Sequence, residues 1–152
     1  MHSYNHLYEK LMTDEVLLLA IHKAAKNKRK NNRRHRKLRK FKANPEKFLD
    51  YFRNYIKNYC PKEHFFKEIN DGIAAKKRLI VIPTAEEVVL HNAVIIVLGP
   101  ILRKGMYEHS YACIEGKGIH SGRKIVEKWI KNSKETKYCL KLDIKQFFNS
   151  ID

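Results

Sequence analysis

Three observations predict an α+β fold. Apolar residues recur at helical spacing after Thr13 and again after Asn44-Pro45. Two β-prone runs flank the turn signal Asn70-Asp71-Gly72, and a strongly apolar helix follows Pro83. The expected architecture is a set of helices around a β-hairpin, leading into a further strand at 138–142.

The first helix is expected to start at Thr13, an N-cap residue, with Asp14 and Glu15 in the acidic first turn. Leu17, Leu18, Ile21 and Ala25 supply its apolar spacing. Residues 16–45 contain no acid, and positions 23–42 hold twelve Lys and Arg. Such a block is either a solvated helix face or a polyanion-binding arm. Binding to nucleic acid is the favoured reading, through Arg29, Lys30, Arg33, Arg34, Arg36, Lys37, Arg39 and Lys40. The affinity would be salt-sensitive and independent of base sequence.

Asn44-Pro45-Glu46 opens the next helix with a cap, a proline at the first position and an acid. Phe48, Leu49, Phe52, Tyr55, Ile56 and Tyr59 form one apolar face, read as core rather than a stacking platform, before Cys60-Pro61 ends it. Strands are expected at 64–69 and 78–82. Thr84-Ala-Glu-Glu87 reads as a capping box, and its helix should stop at Gly99-Pro100. A loop over 108–118 precedes an amphipathic helix over 119–132. The last strand, 138–142, runs into Asp143.

The chain has 152 residues and a net charge of +16, with enough apolar content (43%) to bury a core. That charge selects polyanionic partners rather than a fold. Three cysteines without a C-x-x-C pair indicate neither a disulfide framework nor a zinc ribbon. The longest unbroken apolar runs, 16–21 and 93–98, are far short of a bilayer span, and the N-terminus lacks the apolar stretch of a secretory signal. A cytoplasmic protein without a membrane partner is the expectation.

Asp143 is the most informative residue, because a carboxylate at the end of an apolar strand is held rigidly at a cleft. Nucleotide-joining polymerases place carboxylates there to let two Mg²⁺ ions clamp the attacking and leaving oxygens. The competing reading is an Asp that caps the following helix.

The segment Leu140-Lys-Leu-Asp-Ile-Lys-Gln-Phe-Phe-Asn-Ser-Ile-Asp152 resembles the first catalytic-aspartate motif of bacterial reverse transcriptases of the group II intron, retron and diversity-generating types. Arg78-Leu-Ile-Val-Ile-Pro83 is similar to their fingers hairpin, and Val89-Leu-His-Asn-Ala93 through Gly99-Pro100-Ile101 to the helix after it. Tyr111-Ala-Cys-Ile-Glu-Gly-Lys-Gly-Ile-His120 is similar to the loop before the palm. The four blocks stand in the family order over about residues 60–152. The short N-terminal helix and basic block look most like the diversity-generating class.

The resemblance implies a helical fingers region with a β-hairpin, leading into the first strand of a polymerase-type palm. It divides the chain into an N-terminal helix and basic arm (1–43), fingers (44–136) and the start of a palm (137–152). Asp143 would be the catalytic, metal-binding carboxylate, with the Ile144 carbonyl beside the metal. The cofactor would be Mg²⁺, two ions in a complete site, with Mn²⁺ as a substitute. Phe148 would match the steric gate against a ribose 2′-OH, while Phe147 reads as core. Arg78 would approach the incoming nucleotide or the template, with Lys76 and Lys77 as helpers; the plainer reading of Arg78 is a surface strand cation. Lys117 would touch template or primer phosphate, and His120 would cap its helix. RNA template, DNA primer and deoxynucleotide are the implied partners, with room for an accessory protein.

Two departures from the family pattern stand out. Glu87-Val88 replaces a frequent Asp-Arg, and Ile114-Glu115 replaces an Arg-Pro. No Asp-Asp pair occurs in the chain, whereas the resembled enzymes place one in a Tyr-x-Asp-Asp turn. The expectation is therefore the N-terminal part of an RNA-directed DNA polymerase that does not polymerise as this chain alone. The alternative is a non-catalytic RNA-binding module derived from such fingers.

Overall fold

Apolar spacing after Thr13 does produce a helix in the computed structural model, which describes residues 4–26, 32–61, 65–71, 76–132 and 134–144. Among the described residues the fold is α+β, with six α-helices and a two-stranded antiparallel sheet. The chain divides into two units, Met1–Gly105 and Met106–Asp152.

The first unit is built on α2, Asp14–Ala25, whose Val16, Leu17, Ala20, Ile21, Ala24 and Ala25 are buried. Thr13 stands at its N-cap, but its hydroxyl donates back to the Lys10 carbonyl at 2.9 Å rather than accepting from the helix. That carbonyl belongs to a short helix, α1 (Leu7–Leu11), for which the sequence offers too few turns to show a period. The basic block is helical from Arg33 to Ala43 (α3), capped by Asn32, whose side chain accepts from the His35 N–H at 2.8 Å. His35, Leu38 and Phe41 form its buried stripe.

After Asn44 the chain makes a 3-10 turn, Pro45–Phe48, and then α4, Leu49–Lys57. Phe41, Phe48, Tyr51 and Phe52 meet edge-on or tilted, with Phe41 and Phe52 centroids 5.1 Å apart. Phe48, Leu49, Phe52 and Ile56 of the expected face therefore serve the core, whereas Tyr59 lies beyond the end of α4 and is exposed. Arg53 fastens α4 to α2: its Nε donates to the Met12 carbonyl at 3.1 Å, and its guanidinium pairs with Asp14 and Asp50.

The hairpin pairs β1, Phe65–Asp71, with β2, Lys76–Ile82, in a register running from Phe65 opposite Ile82 to Asp71 opposite Lys76. Helix α5, Ala85–Arg103, follows with the capping box in place: Glu87 N–H to Thr84 Oγ1 at 3.2 Å, and Thr84 N–H to Glu87 Oε2 at 2.7 Å. Ala20 and Ala24 on α2 and Ala85 and Ala93 on α5 are all buried, and such small side chains let two helices approach closely.

The expected break at Gly99-Pro100 is not there, since α5 runs through Pro100 to Arg103. Proline removes one intrahelical donor, and within one turn of the helix end that loss does not outweigh continuation. At 19 residues α5 is long and apolar enough to cross a bilayer by length and composition; its Val89, Ala93 and Val97 are buried in this core.

In the second unit, α6 spans Ile119–Lys131 and is capped by Gly118, so His120 does not cap it. Gly122 lets the Tyr111 ring lie against the helix, since a Cβ there would come within 3.1 Å of it. The expected strand at 138–142 is a correction: residues 136–144 form no strand among the described residues. Tyr138, Leu140 and Leu142 keep strand-like alternation but are 93%, 81% and 80% exposed. Alternation alone does not make a strand, which needs a hydrogen-bonded neighbour.

Candidate nucleic-acid interface

Helix geometry sorts the cations of α3 into two groups. Opposite the buried His35–Leu38–Phe41 stripe, Arg33, Arg36 and Lys40 recur at i, i+3 and i+7 over about 10 Å of axis. All three are exposed, and none makes an ion pair with a described residue. Arg39, also exposed, flanks them. Like charges stacked this way repel, and phosphate is the natural relief.

Arg34 and Lys37 do structural duty. The Arg34 guanidinium donates to the Pro83 carbonyl at 3.2 Å, joining α3 to the end of the hairpin. The Lys37 ammonium pairs with Glu86, a buried carboxylate in the first turn of α5, and sits 5.9 Å over the Phe41 ring. Glu86 also accepts from the Tyr51 hydroxyl at 2.8 Å. Burial would raise the Glu86 pKa, but these two donors outweigh it and hold the carboxyl below its ordinary range. Burial pushes the Tyr51 phenol up to about 12, helped by the Glu86 hydrogen bond and charge.

These links form a cleft of about 390 Å³ between α3, the base of the hairpin and the start of α5. Arg33, Arg34 and Lys37 line one side, and Phe65, Ile82 and Pro83 supply apolar surface on the other. Glu86 also lines it, so the charged lining carries a net two positive charges. Phe65 is 75% exposed. Sequence reasoning identified the cations but missed Phe65 and Glu86. The available signals were an aromatic at the start of a β-prone run and an acid in the first turn of an otherwise apolar helix.

On the hairpin, Arg78 stands opposite Ile69 and Lys76 opposite Asp71 in the backbone register. Lys77 is exposed and pairs with Glu68 across the strands at 2.8 Å. In the second unit Lys117 donates to the Glu108 carbonyl and lies 5.9 Å over the Tyr111 ring. Gly116, at φ 79°, provides the left-handed residue of that tight loop, where Ile114 bridges Lys117. His109 stands 3.1 Å from the Tyr111 hydroxyl and edge-on to Trp129, so the loop is pinned by its aromatics. Arg29, Lys30, Phe147 and Phe148 lie outside the described residues.

Asp143 and Ile144 are exposed. Among the described residues no three His, Cys, Asp or Glu side chains gather as a metal site requires. The described residues therefore do not by themselves fit a two-ion centre. No family model matches the chain, and no curated protein matches it.

Proposed function

We propose that this chain is the N-terminal part of an RNA-directed DNA polymerase, with the first unit gripping an RNA template and Asp143 belonging to the catalytic centre of the longer enzyme. The observation that carries the RNA-binding half is the row Arg33, Arg36 and Lys40, which faces solvent on a helix firmly docked to its core. A docked helix presents cations in fixed geometry, so less ordering entropy opposes binding than for a flexible arm. The polymerase half rests on the order of the four sequence blocks ending at Asp143. Fingers of this kind would hold template and deoxynucleotide, with Arg78, Lys76, Lys77 and Phe148 assigned to the nucleotide and Lys117 to a backbone phosphate. Positioning and charge neutralisation would supply most of the rate.

The second reading is a non-catalytic RNA-binding module. It is favoured by a self-contained core in the first unit. The mass of the natively expressed protein, with the coding sequence downstream of Asp152, separates the two. A Tyr-x-Asp-Asp turn in the same protein supports the polymerase, and a native protein of 152 residues supports the module.

A further inference from the structure

We propose that the cleft between α3 and the base of the hairpin holds one unpaired nucleotide of an RNA strand, its base stacked on Phe65 and its phosphate on Arg33. The inference deepens the RNA-binding reading and rests on it.

Phe65 opens β1 in register with Ile82, at the root of the ribbon, and keeps 75% of its surface in solvent. A phenyl ring left so open beside Ile82 and Pro83 is an apolar platform that no described residue covers. The volume of about 390 Å³ lies near the lower end of the range for small-ligand pockets, about 300–1,000 Å³. That is room for a single flat ring system with its sugar.

The three cations of the cleft are not equivalent. Arg34 is engaged with the Pro83 carbonyl and Lys37 with Glu86, while Arg33 has no partner among the described residues. The occupant thus has a flat apolar part and one adjacent anionic group, which is the description of a nucleotide within a strand. A free triphosphate would call for several unengaged cations. Bases of a duplex are stacked on each other and present no free face, whereas unpaired RNA is read by stacking on aromatic rings and Arg planes.

The test uses the full chain and single-stranded RNA carrying 2-aminopurine, with a duplex of the same length beside it. Phe65→Ala should weaken single-strand binding about five- to ten-fold, abolish the 2-aminopurine fluorescence change and leave the duplex affinity as it was. Phe65→Trp should retain both the affinity and the signal, which a merely disturbed fold would not allow. Arg33→Ala should weaken the single strand and flatten its salt dependence. The proposal is overturned if Phe65→Ala binds the single strand as the parent does, or if single strand and duplex lose affinity equally. In those cases RNA binding itself still stands. A parent chain that binds neither RNA overturns the underlying reading as well.

Discussion

The Tyr51 hydroxyl donates to the Glu86 carboxylate at 2.8 Å, and Lys37 reaches the same carboxylate from α3. Three helices, α3, α4 and α5, are thereby joined through one buried charge beside the proposed nucleotide cleft. A carboxylate in that position is tolerated because both donors satisfy it.

Glu86→Gln should lower stability by about 2 kcal/mol, since hydrogen bonds to charged groups contribute about 1.5–3 kcal/mol each and the amide keeps part of the geometry. The folded carboxyl lies below its ordinary pKa, so its contribution is full above about pH 4.3 and is lost as pH falls through the folded value. Urea midpoints of the parent and Glu86→Gln should therefore converge on acidification. A gap that stays constant into acid would refute the assignment.

Tyr51 gives the opposite sign. Its phenol is raised to about 12, so the stabilising preference for the protonated form is present below about pH 10 and fades as pH rises toward 12. Tyr51→Phe should cost about 1 kcal/mol at neutral pH. Its difference from the parent, followed by thermal unfolding between about pH 9 and 11, should begin to shrink only in the upper part of that range.

Helix α5 makes a test at each end. Thr84→Ala removes the hydroxyl half of the capping box and should cost about 1 kcal/mol, a fall of about 2–4 °C in Tm. Pro100→Ala restores an N–H within the last turn and should raise Tm, because interior proline costs up to about 3 kcal/mol relative to alanine. A fall on Pro100→Ala would mean that the proline is needed there for packing.

The outward cations of α3 should behave as phosphate contacts. Arg36→Ala and Lys40→Ala should each weaken single-stranded RNA binding and reduce the slope of log K against log salt by about 0.7. Both should leave Tm close to that of the parent. Lys37→Ala should instead lower Tm, because it strips Glu86 of a partner.

Local signals in the sequence were read reliably, and signals that depend on distant partners were not. Thr84 and Glu87 define their capping box within four residues, and two β-prone runs mark the strands of the hairpin, although Asn70 and Asp71 of the expected turn pair within β1 and Gly72 lies outside the described residues. Pro100 misled because its effect depends on how many turns follow it, and here less than one does. Tyr138, Leu140 and Leu142 misled because a strand requires a neighbour that a single segment cannot announce. The basic block was visible as charge. The division of labour within it was not, since Arg34 meets Pro83 and Lys37 meets Glu86 across 49 positions each. Phe65 gave no periodic signal, and only the fold brings it to Arg33 and Arg34.

Primer extension on an RNA template, with the longest natural protein that carries this sequence and with its Asp143→Ala variant, tests the central claim most directly. The account predicts DNA synthesis that requires deoxynucleotides and is abolished by Asp143→Ala, with RNA binding retained. Equal extension by the two proteins, or none by the unaltered one, would contradict it.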